Sequence, residues 1–149
     1  MADRTVSSIV IDAAPDAVLE VIADFERYPD WTGAVKQVTV LERFDDGRGS
    51  QVRFVLDAGA IRDTYVLAYT WDFETDGTGT LSWKLVESTV LKALDGAYVL
   101  TAVPGGTEVH YSLAVDLRIP MLGMLRRKAE KAIIDAALNE LKKRVESGS

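Results

Sequence analysis

Two rhythms divide this chain. From Ala34 to Arg118 apolar and polar side chains largely alternate with a period of two, interrupted at short turn signals. From Pro120 to about Val145 the apolar positions recur instead at steps of three and four. The second rhythm, carried by Leu122, Leu125, Ala129, Ala132, Ile133, Ala136, Ala137, Leu141 and Val145, predicts one long amphipathic helix. Pro120 suits its first turn, where the missing N–H would be unbonded anyway. The first rhythm predicts six strands: Val35–Phe44, Ser50–Ala58, Ile61–Phe73, Leu81–Glu87, Val90–Val103 and Thr107–Leu117. Asp45-Asp46-Gly47, Gly59, Thr75-Asp76-Gly77 and Pro104-Gly105-Gly106 punctuate them, and Gly96 marks a bulge or bend. Such short connections predict a consecutive antiparallel meander. Upstream, Arg4–Asp12 reads as a strand, Pro15–Asp24 as a short helix, and Phe25–Trp31 as a helical turn broken at Pro29.

The resulting fold class is α+β: a strand, two short helices, six antiparallel strands and a long C-terminal helix. A lone helix has one large apolar surface to cover, the face of a curved sheet. A sheet wrapped round a helix leaves a hollow beside it, so alternation decides what faces that hollow. It turns Val52, Phe54 and Leu56 inward, then Ile61, Asp63, Tyr65, Leu67, Tyr69, Trp71 and Phe73. Leu81, Trp83, Leu85 and Glu87 follow, then Tyr98 and Leu100, then Val109, Tyr111, Leu113, Val115 and Leu117.

Length and composition narrow the reading. A chain of 149 residues fits a single domain, 1–149, large enough for a core without staples. With no cysteine, disulfides and thiolate metal sites are excluded. The N-terminus lacks a signal-peptide apolar run and no stretch is long enough to span a membrane, so a cytoplasmic protein is expected. The net charge of −6 argues against nucleic acid as a partner. It is unevenly spread: residues 120–149 carry seven basic and four acidic side chains. Pairs such as Arg126–Glu130, Lys131–Asp135 and Glu140–Arg144 predict a solvated helix face. Arg126, Arg127 and Lys128 lie near the helix start, where the macrodipole favours anions, and so hint at an anionic partner.

Conventional catalytic constellations are missing from the sequence. The one histidine, His110, falls on the outward set with Glu108, Ser112 and Asp116. There is no glycine-rich phosphate loop and no metal-ligand cluster. Neither a metal nor a cofactor is expected. Asp63 and Glu87 fall on the concave set and, among aromatics, could serve as acid or base, but their place near strand ends predicts ordinary solvated carboxylates. The remaining lining is aromatic: Tyr65, Tyr69, Trp71, Trp83 and Tyr98, with Trp31 from the connector. Buried Tyr and Trp need partners for their polar tips, which a flat oxygenated ligand would supply.

Several stretches carry a family resemblance: Ile11-Asp12-Ala13-Ala14-Pro15 with Val18 and Ile22, Asp24, and Tyr28-Pro29-Asp30-Trp31. Leu81-Ser82-Trp83, Leu94-Asp95-Gly96-Ala97-Tyr98-Val99-Leu100 and Gly106-Thr107-Glu108-Val109 complete it. The chain resembles the START-like superfamily with its helix-grip fold. Within it, the closer resemblance is to the bacterial polyketide cyclase/dehydrase and lipid-transport family, which includes coenzyme Q-binding START proteins. The resemblance implies a hydrophobic cavity between long helix and sheet, with Tyr28–Trp31 near its mouth. Cyclases of this kind place polar side chains, often Arg with Tyr or His, inside that cavity. Here Arg53, Arg62 and His110 alternate outward.

The leading expectation is therefore a protein that binds or carries a small hydrophobic molecule, such as a lipid, a quinone or an aromatic polyketide. Its expected lining is Trp31, Phe54, Tyr65, Tyr69, Trp71, Trp83, Tyr98, Leu122 and Leu125. The alternative is an aromatase/cyclase acting on a carrier-bound poly-ketone, with Tyr65, Tyr69, Asp63 or Glu87 in catalytic roles. Arg126, Arg127 and Lys128 would then meet an acidic carrier protein or an anionic membrane surface. A macromolecule-binding role through the basic helix is a third reading, which the overall negative charge disfavours.

Overall fold

The computed structural model describes residues 4–57, 62–118 and 123–147, without the side chain of Leu125. Pro120, Leu122, Ile61 and the turn at Gly59 lie outside the described residues. Strand β1 (Thr5–Ile11) leads into helix α1 (Pro15–Ala23), a 3-10 turn (Phe25–Arg27) and a short helix α2 (Tyr28–Trp31). Six strands follow: β2 (Val35–Arg43), β3 (Gly49–Asp57), β4 (Arg62–Phe73), β5 (Gly79–Ser88), β6 (Leu91–Val103) and β7 (Gly106–Leu117). Helix α3 (Gly123–Glu146) closes the fold. The strands form one antiparallel sheet in the order β1-β7-β6-β5-β4-β3-β2. The expected meander thus runs from β2 to β7, and β1 docks on the free edge of β7.

Pro29 does not break the connector. It occupies the first turn of α2, a position that needs no N–H. α1 begins the same way at Pro15 and buries Val18 and Ile22. The β6–β7 turn locks the junction between β1 and α1. Gly106 sits at φ +140° with Ile11 O where a Cβ would be, and Thr107 Oγ1 donates to Ala13 O at 2.7 Å.

Helix α3 lies against β1, β7 and α1. Its buried face is Glu130, Ile134, Leu138 and Leu141, flanked by Ile133, Ala137 and Val145. Ala132 and Ala136, expected on that face, are exposed. The buried stripe is rotated because a carboxylate belongs to it. Glu130 is not the solvated partner of Arg126 but a buried anchor: it accepts from Thr5 Oγ1 and from Val115 N, each at 2.7 Å. The reason is topological. The β1–β7 ladder begins at Thr5↔Leu113, so Val115 N–H lies just past the last strand partner. Glu130 supplies the acceptor that a longer β1 would have offered. At the far end of α3, Glu146 accepts from Asp12 N at 2.9 Å, and Lys142 donates to Val10 O at 2.9 Å. The expected Lys131–Asp135 pair forms at 3.0 Å on the solvent side.

Replacing Glu130 by Ala leaves the Val115 N–H and the Thr5 hydroxyl without their partner. Urea denaturation should register a loss of about 1–3 kcal/mol. Glu130→Gln, which keeps one carbonyl acceptor, should lose less. A change within about 0.5 kcal/mol for the Ala variant would contradict the anchoring role.

Candidate functional site

Cross-strand neighbours on the concave face build a band of rings. Phe54 (β3) stacks on Tyr65 (β4) with centroids 5.5 Å apart, and Tyr69 (β4) meets Trp83 (β5), its register partner, at 5.9 Å. Trp83 meets Tyr98 (β6) at 5.4 Å, and Tyr98 meets its partner Tyr111 (β7) at 4.7 Å. Phe25 joins from the 3-10 turn, 4.7 Å from Tyr69, and Tyr28 packs between Phe25 and Phe54. Gly96 makes room for this band rather than forming a bulge: the Trp83 indole lies 2.5 Å from where its Cβ would stand. The β5–β6 ladder ends at the same Trp83↔Gly96 pair.

The concave residues fall into two populations. Val52, Leu81, Val109 and, from α3, Ile134 and Leu141 keep no accessible surface, whereas Tyr65, Tyr69, Tyr98 and Tyr111 each keep 7–8%. Among the described residues a small cavity of about 20 Å³ lies between the end of β7 and α3, apart from the tyrosines. It is lined by Val115, Asp116, Leu117, Arg126, Ala129, Glu130 and Ile133 and holds about one water. A larger depression of about 500 Å³ lies on the outer sheet face between Arg4, Thr70, Ser82, Lys84, Asp95 and Ser112. It is shallow and floored by small side chains.

The polar tips in the aromatic interior are largely unpaired. Of the five tyrosine hydroxyls, Tyr28 donates to Ile22 O at 2.6 Å; those of Tyr65, Tyr69, Tyr98 and Tyr111 have no partner among the described residues. Burial holds all five well above the ordinary tyrosine value, reinforced by Asp63 at Tyr65 and by neighbouring tyrosines elsewhere. They are therefore neutral hydroxyls at any working pH. They can polarise an oxygen but cannot serve as bases. Two further nitrogens are buried without a partner, Trp31 Nε1 and Arg126 Nε.

The other sequence-derived candidates separate. Trp71 is on the concave face, but its Nε1 donates to Gly49 O at 2.8 Å and Arg48 lies 5.2 Å over its ring. Asp63 is buried, not solvated: it accepts from Ser88 Oγ and from Thr89 Oγ1, the latter at 2.9 Å. Glu87 is not concave at all. A bulge between Val66 and Leu67 pairs Glu87 with Val66 and leaves Val86 as the extra residue, so Glu87 points outward and Ser88 takes the inward place opposite Tyr65. Strict alternation cannot foresee that shift. Leu122 and the side chain of Leu125 lie outside the described residues. Arg126 is half-buried at the small cavity, and of the basic trio Arg127 and Lys128 are exposed. His110 stays on the outer face, 2.9 Å from Glu108. Tyr111 and Phe25 join the aromatic interior without having been expected in the lining, and so does Tyr28, which the resemblance placed only near the cavity mouth. For Tyr111 the alternation already placed it inward; for Phe25 and Tyr28 no periodic signal exists in the connector.

This geometry accords with the family comparison. Residues 2–146 match the model of the family described as polyketide cyclase / dehydrase and lipid transport. The chain belongs to that family. A START superfamily protein from Mycobacterium smegmatis shares the fold with a TM-score of 0.89 at 20% identity, covering 98% of this chain and 99% of that one. The Zhui aromatase/cyclase from Streptomyces sp. R1128 gives 0.78 at 16% identity, over 98% and 94% of the two chains. The di-domain aromatase/cyclase BexL of the BE-7585A pathway gives 0.75 at 19% identity, over 97% of this chain and 46% of that one. These likenesses establish the START-like helix-grip fold. No curated protein sequence matches the chain. Among the described residues no cluster of three potential metal ligands exists, and no helix is long and apolar enough to cross a membrane.

The tyrosines give this family member a testable pH signature. All five tyrosines of the chain are buried, with folded-state pKa values above the unfolded value of about 10. The stability this contributes is complete below pH 10 and is lost as pH rises beyond it. Absorbance at 295 nm should therefore stay flat past pH 10 and rise in one step with loss of near-UV circular dichroism. A gradual rise centred on pH 10 in the folded protein would contradict the burial.

Proposed function

We propose that the protein binds or carries a small hydrophobic, oxygen-bearing molecule between the concave sheet and α3. The observation that carries this reading is the band of neutral tyrosines. Four hydroxyls bond no described group and keep accessible surface, which leaves them open to the oxygen of a bound molecule. Trp31, Phe54, Tyr65, Tyr69, Trp83 and Tyr98 would line the ligand, joined by Tyr28 and Tyr111; Leu122 and Leu125 remain proposed members on sequence grounds. Trp71, whose indole N–H is already engaged, would contribute only its ring.

The alternative within the same family is an aromatase/cyclase for a carrier-bound poly-ketone. The same hydroxyls favour it in one respect, since uncharged donors stabilise a developing enolate oxygen. Tyr65 and Tyr69 would hold that oxygen, with the cavity folding the chain; Asp63, occupied by two hydroxyls, is a poor base. For either reading, Arg127 and Lys128 beside the exposed Met124 offer a cationic, partly apolar spot where an acidic carrier or an anionic membrane could dock, as part of a cytoplasmic role.

The binding reading predicts that N-phenyl-1-naphthylamine gains fluorescence on mixing, saturating at one probe per chain and quenching Trp83. Trp83→Phe should remove most of the tryptophan quenching while leaving a Trp71→Phe protein responsive. A weak, unsaturable rise equal to that with an unrelated soluble protein would overturn it.

A further inference from the structure

The β5–β6 hairpin is paired over only half its length. Its ladder runs from Gly79↔Leu100 to Trp83↔Gly96 and stops there, although both strands continue towards the connecting turn. The next rung would set Lys84 opposite Asp95; it is not formed, and these two opposite charges make no ion pair. Each unpaired stretch is bulged on its outer side, Val86 being the extra residue against β4 and Lys92 against β7. The tip is nevertheless fastened. Ser88 Oγ accepts from Val90 N at 3.1 Å and from Leu91 N at 2.8 Å, and donates to Asp63. Arg118 donates from its backbone N to Val90 O at 3.0 Å and from Nη2 to Ser88 O at 3.2 Å. Residues 84–88 and 91–95 therefore border a window held at both ends, not a frayed end.

The window lies between two spaces. On the outer face Lys84, Asp95, Gly96 and Trp83 all border the depression of about 500 Å³. On the inner face Leu85 and Leu94 are half-buried against the core, and the Trp83 ring meets Tyr69, Tyr98 and Tyr111. The sheet also changes cover at this seam: α1 and α3 pack on β1, β6 and β7, whereas the 3-10 turn and α2 pack on β2. We propose that this window is the gate by which a hydrophobic ligand reaches the tyrosine band, an inference that rests on the binding reading above. Parting the two stretches breaks no ladder pair, and openings that cost few hydrogen bonds are those a native protein undergoes locally. The inner rim of Leu85 and Leu94 gives an apolar molecule an apolar passage, with Trp83 at its end.

The chain has no cysteine, so Lys84→Cys combined with Asp95→Cys places a single crosslink across the window. Stopped-flow mixing with N-phenyl-1-naphthylamine reads its effect. Oxidation should slow association and dissociation of the probe alike, by about tenfold or more, as expected when binding must wait for an opening step. The equilibrium affinity should stay close to that of the reduced protein, and dithiothreitol should restore both rates. If the two thiols stand too far apart to form a disulfide, dibromobimane bridges them and should have the same effect. Thr80→Cys with Val99→Cys, on a rung already formed, is the control and should change neither rate. Equal rates for the crosslinked and reduced window variants would overturn the gate while leaving the binding reading intact, because the probe would still bind. Failure of the unmodified protein to bind the probe would remove the binding reading and the gate together.

Discussion

One helix has to cover the concave face of a seven-stranded sheet, and it is too narrow to fill it. Helix α3 packs along β1, β7 and α1, where Ile11, Val109, Leu113, Val18 and Ile22 are fully buried. Across β4, β5 and β6 the sheet curves away from it, and there the chain places large rings instead. Tyr and Trp can span the remaining distance with two torsions each and stack on cross-strand neighbours. What they bring with them is a polar atom apiece. The geometry of coverage thus dictates both the packing of the core and the chemistry of the interior.

The same constraint explains the anchors. A helix that contacts only one side of the sheet needs fixed points, and it has them at both ends: Glu130 on Thr5 and Val115, Lys142 and Glu146 on the β1–α1 junction. Burying a carboxylate such as Glu130 is tolerable because both oxygens receive donors. It also places Arg126 one helical turn earlier at the small cavity beside β7, where its Nε lacks a partner.

Much of this was legible in the residues. Period-two alternation located the strands to within a few residues and set the inward faces of β3, β4 and β7, because a strand covered on one side must repeat every second residue. The prolines and glycines marked the turns for steric reasons that hold locally. What could not be read was anything set by contacts between distant segments. The bulge at Val86 turned Glu87 outward, and nothing in Lys84-Leu85-Val86-Glu87 announces it. Glu130 looked like half of an i,i+4 pair because its true partners, Thr5 and Val115, are far away in sequence. The engagement of Asp63 by Ser88 and Thr89, and of Trp71 by Gly49, likewise depends on which strands meet. Sequence therefore named the aromatic set, and the structure decided which polar atoms within it remain unfilled.

The central claim is that the tyrosine band borders a space rather than a closed core. A crystal pressurised with xenon tests it without assuming any ligand, since xenon enters apolar cavities. The account predicts a xenon site between the sheet and α3, bounded by Tyr65, Tyr98 and Tyr111. A pressurised crystal with no xenon between sheet and helix would contradict it.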